Sequence, residues 1–287
     1  MATENGGSVY AAGVDTVMPA RNPSAGESMI FNYNAFYFAD EMDNYQGKPA
    51  MPEFKLRVYA TAVRVMHTWH IHILGGELQS NAAFPFLYER LRVPDGGPYS
   101  KFGLSNTQYA PLAVGYRLGK EQNLYINYEF NGFLPGAAYS PADVVNPGQH
   151  YYAVGPDASF TYMPGKNEVS SKFMYLVNFT DPATRYHSGN QFTWEFDGMR
   201  MVSKKIAVGG NGYWFQQTTD DSVPGQVLID GNRRRTVDLG PELRINLPHG
   251  ACAFKYEQDL YVRNSPRGGT LWFQWALPIH IGAGAAK

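Results

Sequence analysis

The stretch TVDLGPELRINLP, residues 236–248, alternates between apolar and polar side chains. Its odd-numbered members are apolar and its even-numbered members are almost all polar, with charges at Asp238, Glu242 and Arg244. Successive side chains of a β-strand point to opposite faces, so the stretch is predicted to be a strand with one oily and one charged face. Pro241 donates no backbone hydrogen bond and follows Gly240, so the pair predicts a local break in the ladder.

The same alternation recurs at 123–131, 169–180, 191–197 and 252–259, and no convincing amphipathic helix accompanies it. Twelve strands are predicted, near 28–39, 53–66, 72–92, 103–117, 123–139, 150–162, 168–180, 190–198, 205–218, 235–247, 251–262 and 270–281. Short turns at 118–121, 163–167 and 247–250 alternate with longer polar connections, including 94–102 and 263–269. An even number of long antiparallel strands with short turns at one end is typical of an outer-membrane barrel.

The identity of the two faces decides between a membrane barrel and a soluble β-sandwich or β-barrel. A soluble sheet turns its apolar face into a core and its polar face to water. Here the apolar faces are rich in Tyr, Trp and Phe, which suit the water–lipid boundaries, and the polar faces carry charges of both signs. The favoured fold is therefore an all-β transmembrane up-and-down barrel. Its predicted lumen-facing residues are Asp238, Glu242, Arg244, Lys255, Glu257, Asn127 and Glu129.

Composition limits the other classes. No run approaches the ~18–20 apolar residues of a membrane helix, and a net charge of -1 does not favour nucleic-acid binding. The single Cys252 excludes an internal disulfide and a cysteine metal cluster. His67, His70 and His72 lack a carboxylate or Cys at ligand spacing, so neither a metal site nor any cofactor is predicted.

Residues 1–27 lack the alternation but carry charges, among them Glu4, Asp15 and Arg21. They are predicted to plug the lumen, because a twelve-stranded barrel has more room than its own side chains fill; the alternative is a periplasmic tail. The barrel is expected over 28–281 and a tail over 282–287. No secretory signal is visible, so the chain is expected to be a mature one.

Two glycine–proline pairs fall inside predicted strands, Gly155 with Pro156 and Gly240 with Pro241. Proline removes a ladder donor and glycine permits a bulge, so each pair is a candidate lateral gap in the wall. The alternative reason for both is the curvature of a small barrel.

Three loop features suggest other functions. His187 and Ser188 are adjacent in a strand-like segment and would point to opposite faces, so they cannot form a lipolytic dyad with each other. Asp220 and Asp221 could bind a divalent cation at a lipopolysaccharide surface, and residues 233–235, all arginine, could face its anionic groups. Solvated loop charges are the plainer interpretation of both.

Several segments together resemble the meta-pathway phenol-degradation family of outer-membrane channels. They are ENGGSVYAAG at 4–13, FLPGAAY at 133–139, NPGQHYY at 146–152, TRYHSGNQFTWEFDG at 184–198, GYWFQQTTDD at 212–221 and TVDLGPEL at 236–243. The resemblance implies a monomeric twelve-stranded barrel of a Gram-negative outer membrane, with the segment before the first strand entering the lumen. One departure is the end of the chain, where GAGAAK follows the last strand instead of a terminal aromatic residue.

The expected function is uptake of small hydrophobic or aromatic molecules without catalysis, with lateral release into the membrane as the expected exit. The expected partners are membrane lipid, lipopolysaccharide and the substrate. The alternatives are a general diffusion porin for hydrophilic solutes, an outer-membrane lipolytic enzyme and a soluble β-domain that binds carbohydrate or lipid.

Overall fold

The computed structural model describes residues 6–94 and 96–279. From residue 28 onward, most of the described chain forms strands with alternating side chains. A short 3₁₀ segment, Ile229–Asn232, lies in one of the connections. The strands are β1 (Ser28–Met42), β2 (Lys55–Ile73), β3 (Gly76–Val93), β4 (Gly96–Leu104), β5 (Gln108–Leu118), β6 (Leu124–Phe133), β7 (Ala153–Tyr162), β8 (Asn167–Asn178), β9 (Gln191–Met201), β10 (Ile206–Gln217), β11 (Arg235–Leu247), β12 (Gly250–Arg263) and β13 (Pro266–Ile279). Of the described helical segments, none combines the length and the apolar character needed to cross a bilayer.

Twelve of these strands form a closed antiparallel ring, which confirms the predicted architecture. Sequence neighbours pair around the ring, and β1 pairs with both β2 and β13, so the two ends of the barrel meet. Closure matters in a bilayer because an open sheet edge would leave backbone groups without hydrogen bonds. The predicted barrel limit at 281 and the tail at 282–287 lie beyond the described residues.

The remaining strand, β4, corrects the sequence prediction. The sequence predicts a connection at 94–102 followed by one strand over 103–117. In the structure there are two strands: β4 pairs with residues 86–93 of β3, and β5 pairs with residues 77–83 of β3. The strand is interrupted between β4 and β5 because Asn106 forms hydrogen bonds with the loop 134–152 instead of continuing a strand ladder. Its amide nitrogen donates to the carbonyls of Leu134 and Gln149, both at 2.9 Å.

The connections differ in length at the two ends of the barrel. At one end, here the turn end, four-residue or shorter links such as 74–75, 163–166 and 248–249 join successive strands. At the other, the loop end, the connections include 43–54, 134–152, 179–190 and 218–234. The predicted connection at 263–269 is wrong, since only residues 264–265 separate β12 from β13.

Most polar side chains of the strands are buried inside the ring, and most large apolar side chains are exposed outside it. On β11, Asp238 and Glu242 are 1% and 3% exposed, whereas Leu239 and Leu243 are 43% and 37% exposed. This arrangement is the reverse of a soluble sandwich and places the apolar face against lipid. The aromatic residues Tyr59, Phe102 and Phe254 are among those on the exposed surface.

Candidate functional site inside the barrel lumen

The seven residues predicted to face the lumen are all buried in the structure. Arg244, Lys255, Glu257, Asn127 and Glu129 are each at most 5% exposed, like Asp238 and Glu242. Some pair with one another: Lys255 lies 3.4 Å from Glu257, and Glu129 accepts a hydrogen bond from Asn127 at 2.7 Å. Arg244 instead forms a bidentate ion pair with Glu168 on β8. Much of the barrel interior is therefore lined by buried polar and charged side chains.

The segment 6–27 runs through this interior, from the start of β1 at the turn end toward the loop end, and we call it the N-terminal segment. Thr16 and Ala20 in it are 0% and 2% exposed. At its C-terminal end the backbone is bonded to β2, because the amide of Gly26 donates to the carbonyl of Thr68 at 2.7 Å. The segment is thus held inside the barrel as well as joined to it.

Asp15 is the charged anchor of the N-terminal segment. Its carboxylate lies 2.7 Å from Nζ of Lys172 on β8 and 3.2 Å from a guanidinium nitrogen of Arg64 on β2. The two cations also contact Asp157, at 3.5 Å from Lys172, and Glu129, at 3.3 Å from Arg64. Burial alone would raise the pKa of Asp15, but the charges of Lys172 and Arg64 outweigh burial and lower it.

Sequence reasoning missed Arg64 and Lys172 as partners of this segment. Lys172 belongs to the more polar set of the alternating stretch 169–180. Arg64 lies between Val63 and Val65, and a charge between two apolar residues of a strand indicates a side chain that faces the lumen. The pairing itself could not be found, because Asp15 is 49 residues from Arg64 and 157 from Lys172.

Further hydrogen bonds extend the docking along the N-terminal segment. The hydroxyl of Tyr10 donates to Glu195 at 2.7 Å, and the amide of Gly13 donates to the same carboxylate at 2.6 Å. Lys255 donates to the carbonyl of Gly13 and, at 2.7 Å, to the hydroxyl of Thr16.

Position 13 requires glycine for two reasons, the lack of space for a side chain and the backbone conformation. Its φ is +89°, and a Cβ there would lie 2.3 Å from a carboxylate oxygen of Glu257. A side chain at this position would displace the segment from the wall.

The other two predicted plug residues differ from Asp15. Arg21 is exposed, forms no ion pair with any described residue and donates to the sulfur of Met18 at 3.5 Å. Glu4 lies outside the described residues. Only Asp15 of the three therefore has an observed role in holding the segment.

The N-terminal segment separates two cavities. The upper cavity, toward the loop end, has a volume of about 280 Å³ and the lower cavity, toward the turn end, about 670 Å³. Residues 6–14 contribute the floor of the upper cavity, and Val144 to Pro147 of the loop 134–152 line it from the loop end. Residues 15–24 line the lower cavity.

One side of the upper cavity is apolar, unlike most of the lumen. We call this side the apolar wall; it consists of Tyr37 on β1, Leu56, Val58 and Ala60 on β2, and Pro85, Leu87 and Leu91 on β3. Sequence reasoning missed it, because inward-facing apolar residues on β2 and β3 weaken the contrast between the two faces of those strands. A small cavity with an apolar side and few polar groups is the usual form of a small-molecule site.

The two candidate lateral gaps are interruptions of pairing but not openings. Pairing between β7 and β8 skips Gly155 and Pro156, and pairing between β11 and β12 skips Gly240 and Pro241. A Cβ on either glycine would lie 1.8 Å from a carbonyl oxygen of the next strand, so the backbones approach closely there.

The two interruptions differ in how their carbonyls are satisfied. The amide of Asn211 donates to the carbonyls of Gly240 and Pro241 at 3.3 and 3.2 Å. Among the described residues, no side chain donates to the carbonyls of Gly155 and Pro156. Asn211 lies on β10, which pairs with the other edge of β11, so its bonds do not connect β11 to β12 across the interruption.

The two loop carboxylates proposed as a cation site, Asp220 and Asp221, have different partners. The described residues contain no cluster of three or more His, Cys, Asp or Glu suited to a metal ion. Asp220 pairs with Arg233, while Asp221 accepts from Tyr186 and Gly189, so the two carboxylates have separate roles. His67 contacts the hydroxyl of Ser28 at 2.8 Å.

Comparison with solved structures shows the fold. The crystal structure of the COG4313 outer membrane channel from Pseudomonas putida F1 superposes with a TM-score of 0.80 at 15% identity, covering 91% of this chain and 98% of that one. The NanC porin and a Pseudomonas aeruginosa FadL homologue give TM-scores of 0.46 and 0.36, at 8% identity each. They cover 86% and 88% of this chain, and 98% and 88% of their own chains, respectively. The barrel and its apolar outer surface are those of a Gram-negative outer-membrane protein.

The sequence itself matches one family model over most of its length. No curated protein matches it significantly. The matched family is described as "Putative MetA-pathway of phenol degradation", and the match covers residues 39–275. This range contains β2 to β12 completely, most of β13 and the last four residues of β1. The chain therefore belongs to this family.

Proposed function

We propose that the protein takes small hydrophobic or aromatic molecules across the outer membrane by way of the upper cavity. The observation that carries this proposal is a cavity of about 280 Å³ with an apolar wall inside an otherwise polar lumen. A hydrophobic solute gains free energy by leaving water for that wall, at roughly 25 cal/mol per Å² of apolar surface buried. A sugar or an ion gains nothing comparable there.

The docked N-terminal segment favours this function over a general diffusion porin. A porin needs a continuous aqueous channel. Here residues 6–27 lie in the middle of the lumen, where they contact β2, β8 and β12. Solutes bound in the upper cavity consequently need either movement of the segment or an exit through the wall.

The exit we propose is lateral, between β7 and β8 at Gly155 and Pro156. The wall is closed there, so release requires a transient separation of the strands. Support comes from the skipped pairing of Gly155 and Pro156 with β8. An apolar molecule that leaves by this route enters lipid and avoids the polar lower part of the lumen.

The test of uptake uses Gram-negative cells that lack or express the chain. We expect expression to raise the uptake rate of labelled toluene and to leave that of labelled arabinose unchanged. Arabinose influx that rises together with toluene influx would identify a general porin instead.

A matched pair of variants connects uptake to the upper cavity. Val58 lies in the apolar wall and Val63 lies on the lipid-facing side of the same strand, where it is 41% exposed. We expect Val58→Thr to reduce toluene uptake more than Val63→Thr, because only the first places a hydroxyl in the cavity. Equal uptake by the two variants would argue against the upper cavity as the binding site.

A further inference from the structure

A carboxyl group interrupts the apolar wall of the upper cavity. Glu89 lies on β3 between Leu87 and Leu91, two positions away on either side and on the same face. Its direct neighbour across the β2 ladder is Val58, which also belongs to the wall. Glu89 is thus a single acidic side chain surrounded by apolar ones.

The cation that could neutralise Glu89 is engaged elsewhere. Lys101 on β4 is paired directly with Glu89 across the ladder. Its ammonium instead lies 2.6 Å from Oδ2 of Asp143 and 3.1 Å from Oδ1 of Asn146, both in the loop 134–152. No other described residue forms a hydrogen bond or ion pair with the Glu89 carboxyl, so its oxygens face the cavity with their acceptor capacity unused.

An acceptor of this kind in an apolar cavity favours a ligand that supplies a donor. A polar group removed from water without a hydrogen bond costs free energy, and a ligand hydroxyl that reaches it restores the bond. A site built to bond a hydroxyl discriminates against an analogue that lacks one, because the buried acceptor is then left unpaired.

The sign of the nearby charge decides between a neutral and a cationic ligand. Arg234 also lines the upper cavity, and its guanidinium lies 4.7 Å from the ring centroid of Phe215. A fixed positive charge at the same cavity disfavours an organic ammonium ion. A neutral aromatic ring with a hydroxyl group matches both the apolar wall and the carboxyl.

We propose that Glu89 accepts a hydrogen bond from the hydroxyl group of an aromatic substrate in the upper cavity, and so makes the channel prefer hydroxylated aromatics to aromatic hydrocarbons. This inference rests on the proposed function, since it assigns the chemical class of the molecule that the same cavity takes up.

The test compares phenol with toluene, which have similar size and differ by a hydroxyl in place of a methyl group. Uptake of both labelled compounds is measured in cells expressing the wild type, Glu89→Leu, Glu89→Gln or Glu77→Leu. Glu77 is on the same strand near the turn end and outside the lining of the upper cavity. We expect Glu89→Leu to lower the phenol-to-toluene uptake ratio roughly threefold to tenfold, as the loss of one hydrogen bond predicts.

The other variants separate recognition from folding. Glu89→Gln keeps an acceptor oxygen, so we expect it to retain most of the ratio, and we expect Glu77→Leu to match the wild type. A ratio that stays unchanged in Glu89→Leu, in a barrel that shows the wild-type heat-modifiable gel shift, would overturn the proposal. So would a selective loss of benzylammonium uptake, which would make Glu89 a cation site.

The two proposals fail in different ways. If wild-type cells take up neither compound faster than cells lacking the chain, the proposed function is wrong. If toluene uptake depends on the chain while the ratio is indifferent to residue 89, only the role of Glu89 is wrong.

Discussion

At the scale of single residues, Asp15 has the largest predicted effect on the lumen. It is the only described acidic residue of the N-terminal segment that pairs with two cations from the wall, Arg64 and Lys172. Removal of one partner from a buried ion pair leaves the other charges without compensation, which is generally costly. The same chemistry makes Asp15 sensitive to substitution and to acid.

We expect Asp15→Asn to weaken docking of the N-terminal segment by a few kcal/mol, on the order of a broken buried pair. The measurements are single-channel conductance, expected to rise, and protease cleavage within residues 6–27, expected to quicken. Arg21→Gln is the control, because Arg21 is exposed and forms no ion pair with a described residue. Unchanged conductance and cleavage in Asp15→Asn would show that the hydrogen bonds of Tyr10 and Gly13 suffice for docking.

Acid should release the segment in a defined direction. The pKa of docked Asp15 is lowered relative to an undocked aspartate, whose value is about 3.9. The stabilisation is therefore complete well above pH 4 and is lost as the pH falls through the docked pKa. We expect the conductance of the wild type to change less between pH 7 and pH 5 than on further acidification below about pH 4. In Asp15→Asn the Asp15-dependent part of this change should vanish, and its persistence would assign the change to other lumen carboxyls.

At the scale of elements, each strand has one face in contact with lipid and the other facing the lumen. β11 shows this most clearly, with Leu239 and Leu243 outside and Asp238, Glu242 and Arg244 inside. A one-residue shift in register would exchange these faces, so the alternation fixes the register as well as the strand.

We expect Leu243→Arg to weaken folding into lipid by about 2–4 kcal/mol if the residue lies at mid-depth. Leu247→Arg is the matched control, because Leu247 is exposed like Leu243 but ends the strand at the turn end, where a charge costs less. The measurement is folding into vesicles followed by the heat-modifiable gel shift in a urea titration. Equal tolerance of both substitutions would contradict the assignment of this face to lipid.

The wall between β7 and β8 can be tested as an exit without replacing Gly155, which has no room for a side chain. Val154 and Val177 are directly opposite each other beside the interruption, and opposed Cα atoms lie within the ~4.4–6.8 Å range of disulfides. In Val154→Cys with Val177→Cys we expect oxidation to slow toluene uptake and reductant to restore it. Each single cysteine variant is a control for modification alone, and uptake that is indifferent to oxidation would remove this position as the exit.

At the scale of the whole molecule, the ring of strands and the N-terminal segment make different contributions to the barrel. The ring closes through β1, β2 and β13, and its ladder begins at Ser28, after the segment. The segment fills space between two cavities of about 280 and 670 Å³. The strand ladders that close the barrel therefore lie in the ring, and the segment occupies the space inside it.

We expect deletion of residues 2–27 to raise single-channel conductance severalfold while the barrel still folds, because the two cavities then join. Conductance is measured in planar bilayers, and the gel shift reports whether the barrel is intact. Unchanged conductance in an intact barrel would mean that the main obstruction lies elsewhere, for instance in the loop 134–152.

The sequence by itself determined the strands, their two faces and the twelve-membered ring. These follow from local alternation, since a period of two fixes which side chains share a face, and a closed antiparallel ring is the way such strands satisfy their backbone in lipid. The break at Asn106 escaped this reasoning because the competing bonds come from Leu134 and Gln149, far along the chain.

Only the tertiary structure decided what the lumen contains at each depth. Asp15 meets Arg64 and Lys172, and Glu89 faces the upper cavity while Lys101 binds Asp143, because ring closure and loop folding bring distant segments together. Alternation predicts which side chains point inward, but it does not predict which of these side chains contact one another across the lumen. That depends on the stagger of all the strands and on the path of the N-terminal segment between them.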